Sequence, residues 1–333
     1  MNNVRIAQVG IANHGRTILN AIAASGNLEL TSIFDIDDRA TEETARTLGV
    51  HKAVSYEEIL SDENVDAVAL VTPNHLHAKQ TKQAALSKKH VFVEKPIANC
   101  TDDACEMIDA MREANLVLMV GHNTRRKRVF RRAKQLLAEG FLGTIVSVEM
   151  NMSRPAGLQS GLPAWKADPE KSALLPMMQL GIHFVDAVEY LLGPLKSVQA
   201  IAASRAMSDV KDSVSALMTL ADGIPVTLSS SYVTPDVYFV RIYGTHGIIH
   251  CTPSGLRTDR ASNGEIKETH HEDFSSEGAE SYVLQMREFG ECVRAGTHPE
   301  TDGEGGLRAL AVIEGMLESI QTGRRVDLST TSH

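Results

Sequence analysis

Hydrophobic positions in residues 1–121 follow two alternating patterns. Short runs rich in β-branched residues, such as 4–9 and 28–35, are typical of buried strands, and the segments between them repeat apolar residues at helical spacing. The predicted strands are 4–9, 28–35, 66–72, 90–94 and 116–121, and the predicted helices are 15–24, 38–48, 76–87 and 102–114. This alternation requires crossover connections, so it predicts a doubly wound parallel sheet whose ligand crevice lies at the carboxyl ends of the strands.

The pattern changes after residue 121. Several strand-like stretches follow one another with no helices between them, which predicts an open, mainly antiparallel sheet in an α+β domain. The predicted strands are 144–152, 197–204, 213–220, 225–233, 238–243 and 247–251, and the predicted helices are 126–138, 176–192, 281–295 and 303–322. We therefore predict two domains, 1–122 and 123–333.

Composition and charge limit the classes of partner. The formal net charge is −9, from 33 Lys and Arg against 42 Asp and Glu, which argues against nucleic acid and anionic membranes as partners. No apolar run is long enough to span a bilayer. The four cysteines show no CxxC pairing, so we expect a cytoplasmic protein without a disulfide framework.

A glycine-rich turn follows the first predicted strand and opens a helix. It reads G-x-A-x-x-G, and its residues are Gly10, Ile11, Ala12, Asn13, His14 and Gly15. The glycines allow a tight turn and a close approach of the backbone to a diphosphate, which the helix N-terminus attracts. The alternative is a plain strand-to-helix turn without a ligand.

Asp35 ends the second predicted strand, twenty residues after Gly15. A carboxylate at this position accepts hydrogen bonds from the ribose hydroxyls of a dinucleotide, so turn and carboxylate together predict a Rossmann dinucleotide-binding domain. No Arg or Lys follows directly, and a carboxylate repels a 2′-phosphate, so NAD is favoured over NADP. The alternative role for Asp35 is a helix N-cap.

Two further segments follow predicted strands and lie beside the expected cofactor crevice. Strand 66–72 leads into Thr72, Pro73, Asn74 and His77, and strand 90–94 leads into Glu94 and Lys95. The alternative for His75 and His77 is a metal pair, but no carboxylate or thiolate lies near them in sequence, so no metal is predicted.

The predicted helix 176–192 is apolar all round, which indicates burial. Gln179, His183, Asp186 and Tyr190 are spaced four, three and four apart, so on a regular helix they form one polar stripe. Buried polar groups require partners, which in one interpretation form a structural hydrogen-bond network. In the other, His183 meets a substrate hydroxyl and Asp186 orients it from behind.

A basic run covers residues 125–134, with seven cations in ten positions. Its helical spacing spreads the charges around the axis, which favours a solvated helix over a nucleic-acid site. Arg125 is a candidate contact for an anionic substrate. Trp165 is a candidate for covering a sugar face, with plain packing as the alternative.

These motifs, in this order, resemble those of the glucose-fructose oxidoreductase and inositol dehydrogenase (Gfo/Idh/MocA) family. The likeness covers nearly the whole chain and includes the glycine turn, Thr72-Pro73-Asn74 with His77, Glu94-Lys95-Pro96, Gly121-His122-Asn123, Gly140-Phe141-Leu142-Gly143 and Gly181-Ile182-His183 with Asp186. The resemblance implies a nicotinamide cofactor and a sugar or cyclitol substrate, with Asn123 among the substrate contacts. It also implies oligomer contacts through the open sheet, hence a homodimer or homotetramer.

The resulting hypothesis is an NAD-dependent dehydrogenase acting on a secondary alcohol. In this hypothesis Lys95 and His183 form the acid–base pair. The positive charge of the oxidised nicotinamide lowers the pKa of the nearby Lys95 towards the working pH, at which a lysine can act as a base. The family commonly has Asp where this chain has Gln179, and an amide neither ionises nor accepts a proton. Two alternatives stay open: glycoside modification through transient oxidation, and a non-catalytic dinucleotide sensor.

Overall fold

The computed structural model describes residues 3–159, 162–207 and 210–328. The chain divides into two compact units, each with its own sheet. The first unit runs to residue 123 and includes residues 279–307, and the second comprises 124–278 and the chain from 308 onward.

A parallel sheet with a helix after most strands forms the first unit. Its elements up to residue 123 are β1 (Val4–Val9), α1 (His14–Ser25), β2 (Leu28–Phe34), α2 (Asp38–Leu48), β3 (His51–Lys52), α3 (Tyr56–Ser61), β4 (Ala67–Leu70), α4 (His77–Leu86), β5 (His90–Val93), α5 (Thr101–Glu113) and β6 (Leu118–Val120). The strand order is β3-β2-β1-β4-β5-β6, and every pair is parallel. The strand order reverses beside β1, which is where such sheets bind ligands.

A mixed sheet dominates the second unit. The remaining elements of the chain are α6 (Arg128–Ala138), β7 (Ile145–Ser153), α7 (Ala164–Ala167), α8 (Ile182–Leu192), β8 (Leu195–Ala203), β9 (Ser213–Leu220), β10 (Pro225–Ser231), β11 (Val237–Gly244), β12 (Gly247–Thr252), β13 (Gly255–Ser262), β14 (Glu265–Asp273), α9 (Glu280–Ala295), α10 (Gly303–Thr322) and β15 (Val326–Asp327). The order is β14-β13-β12-β11-β7-β10-β9-β8-β15, and among the described strands of this second sheet only β7 and β10 pair in parallel. The predicted fold class, a Rossmann domain followed by an α+β domain with a mainly antiparallel sheet, is confirmed.

Strand β14 was absent from the predicted elements, and its sequence explains why. It is exposed at nearly every position and carries charged or polar side chains on both faces. A strand at the edge of a sheet needs no apolar face when its neighbour supplies the hydrogen-bond ladder, here β13. Such a strand therefore lacks the hydrophobic alternation that sequence patterns detect.

Helix α9 packs against the core of the first unit, although it follows β14 of the second sheet along the chain. Phe289 is fully buried, and its ring meets that of Phe92 edge to face at 6.1 Å. A Cβ atom at Gly290 would lie 2.9 Å from the side chain of Asn27, so the helix approaches closely there. The return of residues 279–307 to the first unit rests on such long-range packing, which the local pattern does not indicate.

The predicted helix 176–192 consists of two kinds of helix. Residues Met177–Gly181 form a π-helical turn, and α8 follows directly. Most side chains of both pieces are buried, as predicted. A π-helical turn rotates the preceding residues relative to a regular helix, so Gln179 does not continue the stripe in the way that a spacing of four predicts.

Within the described ranges, no helix combines the length and the hydrophobicity needed to cross a membrane. None of the four cysteines, all of which lie in the described ranges, forms a disulfide bond.

Candidate active site

The glycine turn after β1 has little space for side chains. Gly10 has φ +88°, and a Cβ atom there would lie 2.4 Å from the carbonyl oxygen of Val71. A Cβ atom at Gly15 would lie 2.5 Å from the carbonyl oxygen of Gly10. The buried amide of Gln8 donates to the carbonyl oxygens of both glycines at 2.8 Å. Both glycines are therefore required by the geometry, and Gln8 holds the turn closed.

The first turn of α1 is suited to an anion. Among the described side chains, none caps this N-terminus with a hydrogen bond, and the first turn holds no acidic residue. Ala12 and Asn13 are exposed, and Asn13 has a positive φ of +45°. The backbone N–H groups of a helix N-terminus and the helix dipole both attract negative charge. The residues present thus fit the diphosphate of a dinucleotide.

Asp35 lies beside this turn, immediately after β2. One of its carboxylate oxygens accepts the N–H of Ile11 at 2.8 Å, and the other accepts the N–H of Asp37 at 3.1 Å. The N-cap of α2 is Asp37, whose side chain accepts the N–H of Ala40. The helix-cap alternative for Asp35 is therefore wrong, and its carboxylate is fixed at the glycine turn.

Glu94 connects the glycine turn to Lys95. It is 5% exposed, and its carboxylate lies 3.0 Å from His14 Nε2 and accepts the backbone N–H of Lys95 at 3.1 Å. Burial alone would raise the pKa of Glu94, but His14 and Lys95 lower it by more, so the pKa lies below its usual value. A Cβ atom at Gly121 would lie 2.8 Å from this carboxylate. Glu94 is thus an ionised, tightly enclosed group that positions the backbone of a half-buried Lys95.

The segment after β4 is tied to the segment after β5. His77 is buried, and its two ring nitrogens lie 2.9 Å from the carbonyl oxygens of Thr72 and Pro96. Burial lowers the pKa of His77, although the two carbonyl contacts raise it in part. Asn74 donates to the side-chain oxygen of Asn99 at 2.8 Å. These contacts bring Thr72, Pro73, Asn74 and His77 together with Glu94 and Lys95 at the carboxyl ends of β4 and β5.

Asn123 closes this side of the first unit. Its amide donates to the hydroxyl of Ser281 at 3.0 Å, at the start of α9. The next residue, Tyr282, places its ring against His14, with 5.5 Å between ring centroids. Burial raises the pKa of Tyr282 to about 12. Helix α9 therefore supplies side chains beside the glycine turn that sequence reasoning missed.

In the second unit, Asp186 pairs with Arg125. The Nε atom of Arg125 donates to Asp186 at 3.1 Å, and its Nη2 atom binds the other carboxylate oxygen. The guanidinium also lies 5.5 Å from the ring centroid of Tyr190. The two charges therefore face each other in a buried ion pair, and the basic residues Arg131 and Lys134 contact Tyr190 as well.

His183 is half-buried on α8, where most of its neighbours are buried. Its Nδ1 atom lies 3.2 Å from the hydroxyl of Thr124. Gln179 is buried in the π-helical turn, and π-helical turns frequently occur at functional sites. Trp165 is half-buried on the short helix α7, with Lys166 Nζ 5.5 Å from its ring centroid.

The structure thus forms two groups of candidate residues, one in each unit. The first unit brings together the glycine turn, Asp35, the Thr72–His77 segment, Glu94 and Lys95. In the second unit, Arg125 binds Asp186, and His183 lies on the same helix as Asp186. Lys95 and His183 belong to different units.

The comparison with known families identifies the chain. The profile described as an oxidoreductase family with an NAD-binding Rossmann fold (Gfo/Idh/MocA) matches residues 4–122, and the profile of its C-terminal α/β domain matches residues 134–328. The chain belongs to the Gfo/Idh/MocA oxidoreductase family. The resemblance deduced from the motifs is confirmed.

Relatives within the Gfo/Idh/MocA family span most of the chain. D-xylose 1-dehydrogenase (NADP+) 2 of Haloferax volcanii is 28% identical over 331 residues, which cover 96% of this chain and 98% of that protein. The 2,7-anhydro-N-acetylneuraminate hydratase of Escherichia coli is 30% identical over 249 residues, covering 72% of this chain and 65% of that protein. A levoglucosan dehydrogenase solved with NADH and levoglucosan has a TM-score of 0.90 at 21% identity, covering 99% of this chain and 100% of that one.

Family membership confirms the expected enzyme class and cofactor class, an oxidoreductase with a nicotinamide dinucleotide. Three residues of this Gfo/Idh/MocA member escaped sequence reasoning: Gln8, Tyr282 and the role of Gly121 against Glu94. Gln8 lies between Ala7 and Val9 in β1, so a polar residue inside an otherwise apolar strand was the sequence signal that could have identified it. The contacts of Tyr282 with His14 and of Gly121 with Glu94 join residues far apart in the chain, so no local sequence signal marks them.

Proposed function

We propose that this protein transfers a hydride between a secondary alcohol of a sugar, cyclitol or sugar derivative and NAD. The named activities of its relatives support a carbohydrate-like substrate, since they include a xylose dehydrogenase and a levoglucosan dehydrogenase.

One observation carries the proposal. Lys95 follows a strand at the ligand-binding edge of the sheet, and its backbone is bound by Glu94, which is bound in turn by His14 of the glycine turn. A lysine so close to the dinucleotide-binding turn is well placed for proton transfer at the reacting carbon.

The nicotinamide ring, when bound, supplies the hydride acceptor or donor. Lys95 takes the proton from the substrate hydroxyl, and His183 shares that hydroxyl or relays the proton. Gln179 positions a neighbouring hydroxyl by hydrogen bonding, since an amide donates and accepts without ionising. Arg125 and Asp186 fix α8 by their ion pair, and Asn123 and Trp165 complete the substrate contacts.

NAD is the preferred form of the cofactor. The carboxylate of Asp35, held by the N–H of Ile11, suits ribose hydroxyls and repels a 2′-phosphate. The next residue, Ile36, is 95% exposed and offers an apolar surface to the adenine ring.

A second reaction remains a candidate because one relative is named a hydratase, a class of reaction without net oxidation. In that case Lys95 and His183 would serve a transient oxidation followed by return of the hydride. Product formation that requires NAD+ yet accumulates no NADH would favour this second reaction.

The oligomer is proposed to form through the sheet of the second unit, as a homodimer or homotetramer. Ile201 on β8 and Leu217 on β9 are 74% and 53% exposed on the same face of that sheet. A monomer mass by light scattering would contradict this assembly.

The test is a substrate screen followed by two variants. Aldoses, cyclitols and glycosides are offered with NAD+ and NADP+ while reduced nicotinamide and product are both measured. On the best substrate, Lys95→Met is expected to lower kcat by about 10²- to 10⁴-fold, the usual contribution of a general base. The control Lys79→Met removes an exposed lysine of the same unit and is expected to leave kcat unchanged.

Two outcomes would overturn parts of the proposal. If Lys95→Met kept its activity while His183→Ala lost it, His183 would be the base. If NAD bound but no carbohydrate turned over, the chain would be a dinucleotide sensor.

A further inference from the structure

Lys127 lies immediately before α6 in the second unit and is half-buried. Its Nζ atom donates to the hydroxyl of Tyr238 at 3.3 Å and lies 4.8 Å from the centroid of that ring. These two contacts hold the ammonium group in a defined position against β11.

The charge of Lys127 lacks a direct counter-ion. In the part of the chain that the structure describes, no carboxylate oxygen forms an ion pair with Nζ, whereas Arg125 binds Asp186 and Arg132 binds Glu272. Burial lowers the pKa of Lys127, and the charge of Glu277 offsets part of that effect. A partly desolvated cation of this kind is stabilised by any anion that reaches it.

The surroundings add positive potential. Helix α6 begins at Arg128, and its first turn holds no acidic residue. The carboxylate of Glu277 accepts the N–H of Arg128 at 3.1 Å, so one backbone donor of this N-terminus is already engaged. The helix dipole still places partial positive charge beside Lys127.

Two sets of contacts within the second unit connect the surroundings of Lys127 with the segment that carries His183. The ring of Tyr238 meets that of Phe184 edge to face at 4.8 Å, and Phe184 follows His183 on α8. Thr124, three residues before Lys127, contacts the ring of His183. A ligand at His183 therefore has a cation within the same local structure.

We propose that Lys127 binds a carboxylate group of the substrate, and that the protein consequently acts on a sugar acid in preference to the neutral sugar. Tyr238 is the positioning residue that fixes the ammonium group. This inference rests on the proposed function, from which it takes a sugar-like substrate, and it adds that this substrate carries a negatively charged carboxylate.

The experiment compares matched substrates. Glucose, glucuronate and glucose 6-phosphate are assayed with NAD+ on the wild type, on Lys127→Met and on Lys127→Arg, and the protein with NADH bound is titrated with each ligand by calorimetry. For Lys127→Met we expect a loss of roughly 10- to 100-fold in affinity and kcat/KM for glucuronate, the contribution of one hydrogen bond to a charged group. Glucose is expected to change less than about threefold, because it forms no charge-assisted bond with Lys127. Lys127→Arg retains the charge and is expected to restore part of the selectivity.

The control variant Lys196→Met removes an exposed lysine of the same unit and is expected to change neither the affinity nor the kcat/KM for glucose or glucuronate. An equal loss for glucose and glucuronate would show that Lys127 is structural and would overturn the inference, as would a wild type that prefers glucose. A loss confined to glucose 6-phosphate would overturn the carboxylate assignment. If glucuronate bound through Lys127 without turnover, the inference would stand while the proposed function failed.

Discussion

The buried ion pair between Arg125 and Asp186 gives the sharpest test of how the second unit is held together. The side chain of Asp186 is 1% exposed and that of Arg125 is 11% exposed. Replacing Asp186 by Asn keeps the shape of the side chain but removes its charge. Arg125 then loses its ion pair with Asp186 while its side chain stays largely buried.

The expected loss is large. Removing one partner of a buried ion pair costs about 3–5 kcal/mol in the free energy of unfolding, because the other charge stays desolvated. Domains are stable by only about 5–15 kcal/mol, so the loss would be a substantial fraction of the total. For a unit of this size it corresponds to a decrease in Tm of roughly 6–20 °C.

The assay is urea unfolding monitored by hydrogen exchange of the α8 amides. Because α8 belongs to the second unit, this signal reports the unfolding of that unit and not of the first. Binding of NAD serves as the readout of the first unit and is expected to persist. Asp236→Asn, at an exposed position of the second unit, is the matched control and is expected to cost less than about 0.5 kcal/mol.

The double variant Arg125→Met with Asp186→Leu completes the test. Replacing both charges by apolar groups of similar volume is expected to recover most of the loss, because no unpaired charge is left. If Asp186→Asn unfolded at the same urea concentration as the wild type, the ion pair would contribute nothing and the reasoning would be refuted.

Two further predictions concern the first unit. Gly121→Ala places a methyl group 2.8 Å from the Glu94 carboxylate, which is fixed by His14 and Lys95, so kcat/KM is expected to fall at least about 10-fold with little change in Tm; an unchanged kcat/KM would contradict the positioning role of Glu94. His90 accepts the N–H of Val117 at 2.9 Å, and burial lowers its pKa, with Asp66 raising it in part. The unfolded chain therefore takes up a proton near pH 6.5 more readily than the folded chain, so stability is fully present above about pH 6.5 and falls below it by at most about 1.4 kcal/mol per pH unit. His90→Gln is expected to reduce this slope in urea unfolding between pH 7.5 and 5.5, whereas the exposed control His298→Gln leaves it unchanged, and equal slopes in all three proteins would exclude His90 as the cause.

Much of the first unit follows from local sequence. Short runs rich in apolar residues predict β1, β2, β4 and β5, because the strands of a sheet covered on both faces are mainly apolar. The glycine turn is predictable for a steric reason, since the observed backbone at Gly10 leaves no space for a Cβ atom. Asp35 lies at this turn because one helix and one strand bring the end of β2 back beside the end of β1.

The second unit was less predictable. Strand β14 has no apolar face, and its place in the sheet depends on hydrogen bonds to β13. The polar stripe on 176–192 assumed a regular helix, and the π-helical turn at Met177–Gly181 changes the direction of Gln179. A spacing rule holds only while the helical repeat is constant.

The sequence by itself determined the fold class, the family, the glycine turn and the candidate residues Lys95 and His183, because each depends on short-range pattern or on the order of motifs. Only the tertiary structure decided which side chains the charged residues contact: Arg125 pairs with Asp186, His14 lies against Glu94, and Lys127 donates to the Tyr238 hydroxyl. The packing of α9 against the first sheet is likewise a feature of the tertiary structure. Contacts between residues far apart in the chain depend on packing in three dimensions, and a run of seven cations shows in sequence neither which cations are paired nor which one packs against Tyr238.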